Sequence, residues 1–243
     1  DDETLQMYVQ ESREHLETIE SDLLDIEEQG AEIDEDLVNK VFRAAHSIKG
    51  GGGFLGLDAI KDLAHKIENV LDMIRNYQLV PSPDVVNTVL VAFDYLGELL
   101  DDVLESNSRD ISAHVKALEG VTATTLPPEE KESQHTEVVI SHPELPVSFD
   151  ISEFDHKQAL KGGKILYILT YDLIKDMHRQ GKTPLDVIKV LGDAGVILDI
   201  QLNIDDVGDL DSEELSTSFP MYVLFASIIE ADLIAMVIGL EDD

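Results

Sequence analysis

Residues 42–75 read FRAAHSIKGGGGFLGLDAIKDLAHKIENVLDMIR, and the reading of this stretch decides the fold of the amino-terminal half. Leu57, Ile60, Ala64, Ile67, Leu71 and Ile74 recur at intervals of three and four, the spacing of one helical face. Upstream, Leu37, Val41, Ala44 and Ile48 repeat the pattern. Between the two runs stand four consecutive glycines, Gly50–Gly53, each costing a helix ~1 kcal/mol relative to alanine. Runs of glycine ordinarily end helices, so a loop is one reading. The other is that a bare backbone lets a bulky partner approach, through Gly50 and Gly53, which lie at i+4 and i+7 from His46.

Working outward, Leu5, Tyr8, Ser12, Leu16, Ile19, Leu23 and Ile26 predict a helix before this stretch. Val85, Val89, Phe93, Leu96, Leu100 and Val103 predict one after it, and a shorter fifth covers Ile111, Val115 and Leu118. Four long amphipathic helices with short connections favour an antiparallel four-helix bundle with a fifth helix over residues 1–120. Residues 121–147 hold four of the eight prolines and little periodicity, which predicts a flexible Pro-rich linker. Beyond it the period changes. Lys164–Tyr171, Val196–Ile204 and Phe219–Ile228 read as strands, Thr183-Pro184 as the cap and first turn of a helix, and Glu230–Leu240 as a last helix. Residues 148–243 are therefore expected to form a small α+β sandwich of order βαββα. A sixth element, a closing strand, would come from the residues near Leu240 or from Phe149–Ile151 at a sheet edge. The fold class is multidomain, α followed by α+β.

The chain of 243 residues carries 17 Lys+Arg against 51 Asp+Glu, a formal charge of −34. Such a surface repels phosphate backbones and anionic lipid, which argues against nucleic-acid and membrane-surface roles. Cysteine is absent, which excludes disulfides, thiolate metal sites and cysteine nucleophiles. No apolar run approaches a membrane span, and no signal-peptide pattern is present. The chain begins at Asp1 rather than Met, as expected of a piece of a longer cytoplasmic protein.

The acidity has a local exception. Residues 40–75 hold six Lys+Arg against four Asp+Glu. His46 lies about 170° from the centre of its helix's apolar stripe on a 100° helical wheel and is expected to project into solvent. Lys49, at i+3, sets a cation beside it, an arrangement suited to an anionic group carried on the imidazole. His65 and Glu68 are i,i+3 neighbours on the next helix. If that helix faces His46, Glu68 can accept a hydrogen bond from one ring nitrogen and leave the other basic. A solvated charged flank is the plainer reading of the same pair. A di-iron bundle site uses Glu-x-x-His, the reverse order, so no metal is expected. No G-x-S-x-G elbow marks a hydrolase, and the glycine run lacks the Lys-Ser/Thr of a phosphate-cradling loop.

The segments AAHSIKG and LAHKIENVLD closely resemble the histidine phosphotransfer (HPt) domain at the amino terminus of chemotaxis histidine kinases of the CheA family, over about residues 1–120. The family's Gly run is commonly GG-[AS]-[GA], and Gly50–Gly53 is a slight variant of it. The resemblance implies that His46 is phosphorylated, with Lys49, His65 and Glu68 as its supporting residues. It implies a separate ATP-binding kinase domain as donor and an aspartate of a CheY-like or CheB-like response regulator as acceptor. No nucleotide-binding motif occurs here, so the chain is expected to need no cofactor of its own and to act as substrate and relay of a kinase. By its place after the linker, residues 148–243 resemble a response-regulator-docking domain. The family setting implies recruitment to receptor arrays through other parts of the parent protein. A stand-alone HPt relay protein, a non-phosphorylated helical adaptor and a bundle metalloenzyme are the competing functions.

Overall fold

A computed structural model of the protein describes residues 2–177, 181–203 and 218–239. The chain divides into two compact units, Asp1–Pro128 and Glu129–Asp243.

The first unit is helical. Helices α1 (Asp2–Leu16), α2 (Ile19–Gln29), α3 (Glu35–Phe54), α4 (Asp58–Arg75), α5 (Pro83–Asp101) and α6 (Ser112–Ala123) follow in order, with a 3-10 turn at Val103–Ser108. The single first helix expected over Leu5–Ile26 is two, divided at Glu17-Thr18, where the Thr18 hydroxyl turns to Asp22. Side chains cap the starts of α3 and α5. Asp34 accepts from the Leu37 amide at the start of α3, and Ser82 accepts from the Val85 amide with Pro83 in the first turn of α5. Leu23, Val41, Ile48, Ile60, Leu63, Ile67, Leu71, Ile74, Val89 and Leu96 fill the core. Complete burial of such a side chain is worth about 1.5–3 kcal/mol.

Helix α3 runs through all four glycines to Phe54. The loop reading of Gly50–Gly53 is therefore wrong, and packing explains the run. A Cβ on Gly51 would stand 2.4 Å from Cε2 of Tyr8, and one on Gly52 would stand 3.2 Å from the Tyr8 hydroxyl. The Tyr8 ring, 3% exposed, lies against this bare stretch and donates its hydroxyl to the Ile48 carbonyl at 2.8 Å. At Gly51 and Gly52 the bulky group thus comes from α1 of the same chain, whereas the atoms nearest a Cβ on Gly53 are Lys61 side-chain carbons. The chain then turns into α4 through Gly56, whose φ of +69° is the left-handed conformation that glycine adopts without strain. Asn107 secures this turn, donating to the Gly56 carbonyl at 2.8 Å and accepting from the Ala59 amide at 3.2 Å.

The stretch 121–147 is not the structureless linker that its prolines suggested. It contains the end of α6, a short helix α7 (Pro128–Ser133) and strand β1 (Glu137–Ser141), which pairs antiparallel with β2 (Ser148–Ser152). In the second unit α8 (Glu153–Ala159) follows this hairpin. Then come β3 (Ile165–Asp172), a π-turn at Leu173–Met177, α9 (Pro184–Ala194), β4 (Val196–Leu202), β5 (Pro220–Ser227) and α10 (Ala231–Ile238). Thr183 and Asp186 form a reciprocal capping box at the start of α9. The three-stranded antiparallel sheet has the order β3-β5-β4, with β5 central. From Met221 to Ser227 every residue of β5 is buried, as expected of a strand covered on both faces.

Two expectations for this unit are corrected. In the strand read over Val196–Ile204, the sequence alternates Val196, Leu198, Ile200 and Leu202 with other residues and so predicts one apolar face. A register shift between Ile197 and Asp199 breaks that alternation, and the buried residues are Ile197 and Ile200. An inserted residue moves every later side chain to the other face. Phe149–Ile151 is not an edge strand of the main sheet. It belongs to the β1-β2 hairpin, whose Phe149 and Ile151 pack on Tyr222 and Leu224. Ile204 and a strand near Leu240 lie outside the described residues.

Candidate functional site

Helices α3 and α4, joined by three residues, bring together the side chains singled out in the sequence. His46 Nδ1 lies 2.9 Å from Glu68 Oε2, and Lys49 Nζ donates to Glu68 Oε1 at 2.8 Å. One carboxylate thus serves both groups from the facing helix. His65, half-buried, stands one turn before Glu68 and adds to the positive field on it when protonated. Gly50 is buried and Gly53 half-buried.

The exposure expected of His46 is corrected. Its ring is 2% exposed, with Lys49 at 4% and Glu68 at 5%. The helical wheel assumed one buried face, but α3 packs on α1, α2 and α4, and almost every residue from Val41 to Gly52 is buried. Only Arg43 in that span is exposed, with Ser47 half-buried.

Burial governs the charges. Desolvation would raise the Glu68 carboxyl, but Lys49 and then His46 overcome it and hold it at about 2. Desolvation pushes the His46 imidazole below its ordinary value, against the opposing pull of Glu68, while Lys49 and Arg75 push the same way as burial. At neutral pH Glu68 is therefore a carboxylate that only accepts, and His46 is a neutral ring. The ring proton must sit on Nδ1, donated to Glu68, which leaves the nucleophilic lone pair on Nε2.

Sequence reasoning missed three parts of this arrangement. Tyr8 fills the glycine stretch, as described. Phe42 lies one turn before His46, its ring stacked on the imidazole with centroids 5.9 Å apart and planes at 10°. The Arg75 guanidinium lies 3.9 Å over the Phe42 ring. The i,i+4 spacing of Phe42 and His46 was the available signal. Arg75, 33 residues from Phe42, had none. Among the described residues no group of three or more His, Asp or Glu side chains is placed to hold a metal ion, and both oxygens of Glu68 are already engaged.

This geometry, a histidine presented from a helical bundle and held by a carboxylate on the next helix, defines a class. Residues 3–114 match the Hpt domain family, and this part of the chain is similar to histidine phosphotransfer domains. The chain is similar to the chemotaxis protein CheA of Rhizobium meliloti, 30% identical over 225 residues, which is 86% of this chain and 29% of that protein. It is likewise similar to CheA of Bacillus subtilis, 34% identical over 110 residues, 44% of this chain and 16% of that protein. Among solved structures, the CheA phosphotransferase domain from Thermotoga maritima is 30% identical with a TM-score of 0.39, covering 42% of this chain and 95% of that one. The chain thus spans less than a third of the length of these two CheA relatives. The Rhizobium similarity extends past the HPt domain into the second unit.

Proposed function

We propose that the chain is the phosphoacceptor and relay portion of a two-component chemotaxis kinase, with His46 as the phosphorylated residue. The observation that carries this reading is the Nδ1–Glu68 hydrogen bond, which holds the imidazole in the tautomer that attacks through Nε2. Nε2 attacks the γ-phosphorus of ATP bound to a separate kinase domain. The N–P bond forms, the bond from the γ-phosphorus to the bridging oxygen breaks, and ADP leaves. The ring, still protonated at Nδ1, becomes positively charged, and Glu68 neutralises that charge where it develops. In the second step a carboxylate oxygen of a response-regulator aspartate attacks the phosphorus. The N–P bond breaks and the neutral imidazole returns. Lys49 holds the other oxygen of Glu68, so the carboxylate keeps its direction through both steps.

No nucleotide or metal cofactor belongs to this chain in the proposed cycle, since ATP is bound by the donor domain. The second unit serves as the docking module for a CheY-like or CheB-like regulator, supported by the reach of the CheA similarity beyond the HPt domain. None of the described helices is long and apolar enough to cross a membrane. Action in the cytoplasm, at receptor arrays reached through other parts of the parent protein, accords with that.

The test is incubation of the chain with a histidine-kinase ATP-binding domain and radiolabelled ATP. The expected result is acid-labile label on the wild type and none on His46→Gln. The 2% exposure of His46 is the one observation favouring a non-phosphorylated helical adaptor, because the ring must reach the donor's active site. An unlabelled wild type would establish that adaptor reading instead.

A further inference from the structure

Glu68 and Lys49 secure one edge of the His46 ring. The hydrogen bond at Nδ1 sets the direction of that nitrogen, and the tilt of the imidazole plane decides where the Nε2 lone pair points. Phe42 bears on that tilt from the face of the ring. Its ring lies within 10° of parallel to the imidazole, from the preceding turn of the same helix, and is itself buried to 5% exposure. Phe42 is held in turn by Arg75 at the last turn of α4. The guanidinium lies 3.9 Å over the phenyl ring, donates to Asn39 Oδ1 at 3.2 Å on α3, and donates to Asp72 Oδ1 one turn back on α4. Two hydrogen bonds from a planar fork fix its orientation, which a lysine cannot reproduce.

We propose that Phe42 and Arg75 are positioning residues for His46, forming a stack that sets the plane in which the imidazole presents Nε2 for phosphoryl transfer. The proposal rests on the phosphoacceptor reading of His46. It extends the site from the hydrogen-bonded edge of the ring to its face, and it links the end of α4 to the reacting atom through one intervening ring. Arg75 has a second effect through its charge. The groups acting on the His46 proton are Glu68 and Arg75 from α4 and Lys49 from α3, with His65 acting beside Glu68. Of these Arg75 is a cation that disfavours the imidazolium form.

The test uses the full chain, a histidine-kinase ATP-binding domain and ATP, with initial labelling rates measured against chain concentration and pH. For Phe42→Leu, which keeps an apolar side chain but loses the flat ring, kcat should fall about tenfold with KM within about twofold, since small misplacements of a reacting group cost one to two orders of magnitude. Phe42→Tyr should retain most of the rate. For Arg75→Gln the acid limb of the pH–rate profile should move upward towards the ordinary histidine value, with kcat lowered. Arg75→Lys should keep the limb in place and lose part of kcat. Wild-type kcat and pH limb in both Phe42→Leu and Arg75→Gln would overturn the proposal. So would an effect confined to KM, or a lower folded fraction with an unchanged rate per folded molecule. If Phe42→Leu does not fold, the Arg75 pair decides alone. Failure of the underlying reading looks different: His46→Gln is labelled as strongly as the wild type, or the wild type takes no label.

Discussion

Glu68 is the residue on which the site turns, because it is the one buried anion between two buried nitrogen bases. Removing it strands Lys49 as a buried, uncompensated charge, and breaking such a pair costs on the order of 3–5 kcal/mol. Glu68→Gln is therefore expected to lower the urea unfolding free energy by about 3 kcal/mol at neutral pH, measured by circular dichroism. The same groups set the acid response. The folded protein holds His46 below 6.5, so as pH falls through that value the unfolded chain binds a proton that the folded one refuses, and stability drops. Glu68, held at about 2 against an ordinary 4.5, contributes stability that is present above 4.5 and lost as pH falls from there towards 2. Unfolding midpoints should thus decline in two stages on acidification. In His46→Gln the contribution of the first stage should be missing, and an unchanged pH profile in that variant would refute the assignment. The His46, Lys49 and Glu68 cluster was legible in the sequence because two short motifs sit at helical spacing on neighbouring helices. Its burial was not, because a wheel drawn for one helix cannot count how many others surround it.

The glycine run of α3 separates two effects that composition alone runs together. Gly51→Ala gains ~1 kcal/mol of helix propensity, but its Cβ would stand 2.4 Å from a rigid aromatic ring. Overpacking of a filled core costs about 1–3 kcal/mol, and the Tyr8 hydroxyl, tied to Ile48, cannot swing aside. The clash wins, and Gly51→Ala should be destabilising. At Gly53 the nearest atoms are the flexible Lys61 side-chain carbons at 3.5 and 3.9 Å, an ordinary contact. Gly53→Ala should stabilise the bundle by up to about 1 kcal/mol. Opposite shifts in thermal midpoint for two alanines only two residues apart would verify that packing, not helix termination, placed these glycines; equal shifts would contradict it. In the second unit Gly195, which caps the end of α9, repeats the argument against a strand. Its Cβ would stand 2.2 Å from the Ala226 carbonyl oxygen, an atom of the central strand that cannot move away. No local pattern announces such close approaches, because they depend on which distant chain arrives. The capping signals at Ser82-Pro83 and Thr183-Pro184, by contrast, are local and appear where their chemistry requires.

At the scale of the molecule, the charge of −34 argued away two classes of partner, and its exception around residues 40–75 marked the helices that hold the site. Part of that positive excess is spent internally, since Lys49 and Arg75 face Glu68 and Asp72 rather than solvent. Domain limits were less legible, because proline and polar residues signal irregular backbone without saying whether it packs. Helix α6 continues to Ala123, past the limit of 120 drawn from periodicity, and the unit closes at Pro128. Leu118, Thr122 and Leu126 are all buried at the end of this unit, and the Thr122 carbonyl accepts the Thr125 and Leu126 amides. A fragment ending at 120 cuts α6 within its last turn and discards Thr122 and Leu126. A fragment ending at 128 keeps them. Residues 1–128 are expected to fold alone in a single cooperative transition and to accept label at His46. Residues 1–120 should unfold at lower urea, with a deficit of about 1.5–3 kcal/mol, the scale of one buried aliphatic side chain. Equal midpoints for the two fragments would mean that the helical unit ends with the periodicity and that Thr122 and Leu126 add nothing to its stability.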